Sequence, residues 1–105
     1  MPAAPRLELD AYVVDVLLPD LVGHDRRPSA FLVYLTLWRH TAGGRAPAAL
    51  SLRELAEATG LSKRAVQDAV DALAKRRLVT LDRETPTSVP SYHVLRPWAA
   101  RARRA

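Results

Sequence analysis

His24-Asp25 is the first place along the chain where residue types and spacing suit chemistry, since an imidazole beside a carboxylate can move a proton. In a polar connector such a pair is more often simply solvated. The other histidines, His40 and His93, fall in different segments, and no histidine belongs to a recognisable metal-binding motif. Cysteine is absent, which excludes disulfides and thiolate metal sites and suits a reducing, cytoplasmic setting. Gly43-Gly44 lacks the lysine and the strand–helix context of a phosphate-binding loop, and there is no nucleophile elbow. No catalytic activity, cofactor or metal is expected.

The second concentration of chemistry is cationic. In "LAEATGLSKRAVQDAV", residues 55–70, two helix-like segments meet at Gly60-Leu61, and the second opens with Lys63 and Arg64. The formal net charge of +5 is unevenly placed. Residues 1–50 hold five arginines against five acids, whereas residues 51–105 hold eleven cations against six acids, a balance of +5. An excess confined to one half points to an anionic partner, most often nucleic acid. Arg101, Arg103 and Arg104 supply three of those charges in the terminal "RARRA".

The elements that must position these residues are legible in outline. With 105 residues the chain is one domain's worth. Residues 1–9 read as a flexible tail. Over residues 10–28 a helix begins at Asp10 as N-cap, with Val14, Leu17, Leu18 and Leu21 at helical spacing, and Pro19 is expected to kink or restart it before a polar connector. The run "AYVVDVLLPDLV" is too short and too interrupted by Asp15, Pro19 and Asp20 to span a bilayer. Ser29–His40 is apolar over most of its circumference and reads as the central buried helix. Thr41–Ala49 reads as a loop.

From there the signals sharpen. Ser51 and Glu54 have capping-box spacing, Leu50 and Leu55 form a staple pair, and Leu52, Leu55, Ala56 and Thr59 make one apolar stripe. Gly60 stands where a left-handed residue closes a helix. Ser62 caps the next, with Leu61 and Val66 repeating the staple and Val66, Val70 and Leu73 facing inward as far as Lys75–Arg77. Leu78–Leu81 and Ser91–Leu95 read as strands joined by a polar turn over residues 82–90.

The spacing of Ala56, Gly60 and Val66 resembles the helix-turn-helix family closely. A small residue lets the helices approach, a glycine makes the turn, and an apolar residue packs the second helix on the first. With the hairpin added, residues 29–96 resemble the winged helix-turn-helix domains of bacterial regulators, and residues 51–79 also look like modules of phage and plasmid replication proteins. The resemblance implies a mainly α fold with a small β-hairpin: a three-helix core plus wing, preceded here by an extra N-terminal helix and followed by a basic tail over residues 97–105.

It also implies double-stranded DNA as the partner, with the helix over about 62–76 in the major groove. Arg64, Gln67 and Asp68 become the base-reading candidates: arginine donates to guanine, glutamine pairs with adenine, and aspartate accepts from cytosine. Ser62, Lys63, Arg76, Arg77, Arg83, Thr85 and Arg96 become the phosphate-contacting candidates. Asp68 and Asp71 repel phosphate, but each has a cation four residues away, Arg64 and Lys75 respectively, for an intrahelical pair. The apolar surface of the N-terminal helix either covers the back of the domain or makes a two-fold interface, and a homodimer is expected. Transcriptional regulation is the expected role. The alternatives are a plasmid or phage replication or partition accessory protein using the same module, and a winged module that binds a protein partner through the second helix.

Overall fold

The computed structural model describes residues 6–99. Helix α1 (Pro28–His40) starts with proline at its first position, where a missing N–H costs nothing. It buries Ala30, Phe31, Val33, Tyr34, Leu37 and Trp38, and so occupies the centre of the molecule. The Tyr34 hydroxyl donates to the Leu95 carbonyl (3.0 Å), tying α1 to the end of the sheet. Burial raises the pKa of that phenol, so it stays a donor.

The capping box at the next helix is complete. The Glu54 N–H donates to Ser51 Oγ (3.0 Å) and the Ser51 N–H donates to Glu54 Oε1 (2.9 Å), so two orphan amides at the start of α2 (Leu52–Thr59) are satisfied. Gly60 then turns the chain at φ 77°. Ser62 caps α3 (Lys63–Lys75) by accepting from the Ala65 N–H (3.0 Å). The inner face of α3 buries Val66, Ala69, Val70 and Leu73. A Schellman motif ends it: the Leu78 N–H donates to the Leu73 carbonyl and the Arg77 N–H to the Ala74 carbonyl. The left-handed residue of that motif is Arg77, at φ 59°, where glycine is usual.

Three strands form one antiparallel sheet in the order β1–β3–β2. β2 (Val79–Asp82) pairs with β3 (Ser91–Val94), with Val79 opposite Val94 and Leu81 opposite Tyr92. Val79, Tyr92 and Val94 point into the core. The third strand, β1 (Ala48–Ala49), corrects the expected loop over residues 41–49 and places Ala48 opposite Tyr92. Two alanines carry no alternation of apolar and polar side chains, so only the edge of β3 makes them a strand.

The N-terminal helix also departs from expectation. It runs through Pro19 without restarting, over residues 11–24, and contains two wide-turned segments, Val13–Leu17 and Asp20–His24, closed by i→i+5 hydrogen bonds. Wide turns hold more than four residues each, so side chains four apart stay nearly in line. The buried stripe is therefore Val13, Leu17 and Leu21, and Val14 faces outward.

Asp10 does not cap that helix through its side chain. Its carboxylate instead accepts from Arg96 Nε (2.9 Å) and Trp98 Nε1 (2.8 Å), joining the two ends of the described chain. Tyr12 stacks on Trp98, which stacks in turn on Trp38. Residues 6–9, expected to be part of a loose tail, are held against α1, because Trp38 Nε1 donates to the Glu8 carbonyl (2.7 Å) and Arg39 donates to that of Arg6 (3.1 Å). Trp98, expected within the basic tail over residues 97–105, belongs to the same clasp. Residues 1–5 and the "RARRA" arginines lie outside the described residues.

Two glycine substitutions separate conformational from steric cost. A Cβ at Gly60 meets nothing within 4 Å, so Gly60→Ala should destabilise only through its left-handed backbone, by about 1 kcal/mol. At Gly44 (φ 87°) a Cβ would lie 2.7 Å from the Val94 carbonyl oxygen, in the sheet backbone. Gly44→Ala should therefore lower the urea midpoint clearly further than Gly60→Ala does.

Candidate nucleic-acid interface

The caps and the buried stripe of α3 leave its opposite face to solvent. Ser62 and Lys63 stand exposed at its start, with the Ser62 hydroxyl accepting the capping bond while its own proton stays free to donate. The Arg64 side chain is 87% exposed and lies 3.4 Å from Asp68 Oδ1, the pair expected from their spacing. Asp71 differs from expectation: it accepts from Gln67 Nε2 (3.0 Å) rather than pairing with Lys75. Exposed pairs of this kind are worth about 0–1 kcal/mol, so both side chains can be released at small cost.

Two of the expected phosphate contacts are engaged within the molecule. Arg76 grips Asp25 with two N–H groups (2.9 and 3.1 Å) and reaches Asp20 at 2.7 Å. Those hydrogen bonds, with a further one from His24, pull the Asp25 carboxyl from its ordinary 3.8 down to about 2, and they raise Arg76 in turn. Arg96 binds Asp10 at 2.7 Å and lies over the Trp38 ring. Burial disfavours the charged form of Asp10, but hydrogen bonds from Trp98 and Arg96 outweigh it and lower its pKa. Both guanidinium groups thus act as internal braces, a correction to their expected place on phosphate.

The remaining candidates are at the surface. Arg77 is exposed just beyond α3. In the wing, Arg83 donates to the Pro86 carbonyl (3.4 Å), and the Thr85 hydroxyl lies 2.7 Å from that of Ser88, so the tip is held by its own polar groups. One side-chain ligand atom from each of Asp20, His24 and Asp25 lies within 4.8 Å of the others. Arg76 already occupies both carboxylates.

A shallow cleft continues along α3, lined by Arg27, Asp68, Asp71, Lys75 and Arg76 among others. Lys75, expected only as an intrahelical partner of Asp71, lines this cleft as well. Its signal was present, since positions 64, 68, 71 and 75 advance by helical steps along one face.

Helices α2 and α3 therefore meet at a left-handed glycine, with Ala56 and Val66 at the packing positions of the pattern and a two-stranded wing behind them. The sequence profile of the helix-turn-helix domain matches residues 27–79, half of the chain. The chain belongs to that family. Membership in the helix-turn-helix family suggests DNA as the partner. The matched span covers α1, β1, α2 and α3, while the rest of the wing and the N-terminal helix extend the motif into a winged form. Neither the curated proteins nor the solved structures yield a match. Among the described residues, no helix is long and apolar enough to cross a membrane.

The Arg76–Asp25 brace gives stability a defined acid limit. Because the folded carboxyl titrates near 2 rather than 3.8, its contribution is complete above about pH 4 and is lost as the pH falls toward 2. Asp25→Asn should lower the unfolding temperature at neutral pH and flatten its dependence between pH 4 and pH 2. Thermal melts of both proteins across that window check the assignment.

Proposed function

We propose that the protein is a sequence-specific double-stranded DNA-binding regulator of transcription, with no enzymatic activity. The observation that carries this reading is the capped, outward-facing start of α3, where Ser62, Lys63, Arg64 and Gln67 stand on one solvent-facing end of a helix-turn-helix. On entry into the major groove, Arg64 exchanges Asp68 for the two acceptors of guanine, and Gln67 exchanges Asp71 for adenine. Asp68, once released, accepts from the amino group of cytosine. Ser62, Lys63 and Arg77 contact backbone phosphates, and Arg83 and Thr85 do so from the wing.

A homodimer is part of the proposal. Val14 and Val22 are exposed on the N-terminal helix, 46% and 37%, with Leu18 half-buried between them at four-residue spacing. Pairing two such faces about a two-fold axis would bring two α3 helices into one complex and add their binding energies. A second reading, a protein-binding winged module, draws on the fact that Arg64 and Gln67 already have carboxylate partners on their own helix.

Binding to duplex DNA across a salt series separates the two readings. With Lys63, Arg77 and Arg83 on phosphate, the log–log slope should lie near −3 per subunit. A flat response, or no binding at low salt, would favour the protein-binding module. Arg64→Ala should relax preference at one base pair, removing about 1–3 kcal/mol of discrimination, whereas Lys63→Ala should weaken all duplexes alike.

A further inference from the structure

At the C-terminal end of α3 the exposed Arg27 and Lys75 line one cleft, and the exposed Arg26 and Arg77 adjoin it as chain neighbours of Arg27 and Arg76. None has a carboxylate partner among the described residues. Like charges do not collect unaided, and the means is visible. Arg76 reaches from the end of α3 to Asp20 and Asp25, which draws the connector carrying Arg26 and Arg27 against the helix. The Arg27 N–H donates to the Leu21 carbonyl (2.8 Å), fixing the doublet's backbone, and Arg27 shares one cleft with Lys75.

Two of the four, moreover, occupy left-handed backbone: Arg26 at φ 55° and Arg77 at φ 59°. That conformation costs an ordinary L-residue about 1–2 kcal/mol, and glycine would relieve it at both positions. The acids nearest the patch are otherwise engaged: Asp20 and Asp25 with Arg76, Asp68 with Arg64, and Asp71 with Gln67.

We infer that Arg26, Arg27, Lys75 and Arg77 form a second phosphate contact, a clamp on the backbone of duplex DNA at the edge of the groove. The inference rests on the DNA-binding reading of α3. Thirteen residues give α3 a length of about 20 Å, against a major groove about 12 Å wide. With its N-terminal end among the bases, its last turn lies beside a wall of phosphates. Lys75 continues the stripe of Arg64, Asp68 and Asp71 to that wall, and the connector arginines extend it sideways. The Arg76 brace sets the spacing between the two parts of the clamp.

The test is the double variant Arg26→Ala/Arg27→Ala in the full chain, at exposed positions outside the helices, with circular-dichroism melts to verify the fold. Fluorescence anisotropy would follow binding to a preferred and a scrambled duplex across salt, beside Arg64→Ala and beside phosphatidylserine/phosphatidylcholine vesicles. The clamp predicts a log–log slope shallower by about two per subunit for both duplexes in the double variant. Arg64→Ala should keep the wild-type slope and lose the preference for one duplex. An unchanged slope in a double variant that still binds DNA overturns the clamp and leaves the reading of α3 standing. If the wild type binds no duplex, both fall; vesicle binding lost in the double variant would then assign the patch to a membrane surface.

Discussion

Burial of one face of α3 against α1 is the constraint on which the rest of the structure depends. Val66, Val70 and Leu73 are essentially inaccessible, and each is worth about 1.5–3 kcal/mol relative to an exposed side chain. Ala69 and Ala30, also fully buried, allow the two helices to approach closely. The outward ion pairs of α3 are weaker by several-fold. Apolar packing, not surface charge, therefore sets how α3 is held. The outward face is left free to carry whatever a partner requires.

Around that packing, aspartates hold the periphery. Asp10 joins the N-terminal segment to Arg96 and Trp98, and Asp20 with Asp25 joins the N-terminal helix to the end of α3. Each consumes a cation that composition alone would assign to an anionic partner. Of the cations on α3 and its ends, Lys63 at the start and Lys75 and Arg77 at the end are left without a carboxylate partner among the described residues.

Legibility followed sequence separation. The Ser51 capping box, the Gly60 turn and the Ser62 cap are closed within three or four residues, so residue type and spacing suffice to read them. Helices α1, α2 and α3 and the β2–β3 hairpin were legible for the same reason, to within a residue or so at each end. At Val14 the N-terminal helix departs from the stripe that ordinary helical spacing predicts, because wide turns replace that spacing.

What the sequence by itself determined is the family, the turn, the caps and the outward placement of Lys63, Arg64 and Gln67, all consequences of local periodicity. Only the tertiary structure decided which arginines are free. Arg76 meets Asp25 across 51 positions, and Arg96 meets Asp10 across 86. A guanidinium pairs equally well with a carboxylate or a phosphate, so its type does not reveal its partner. That choice is made by which carboxylates the packed helices bring within reach, and the pairing of β1 with β3 is decided in the same way.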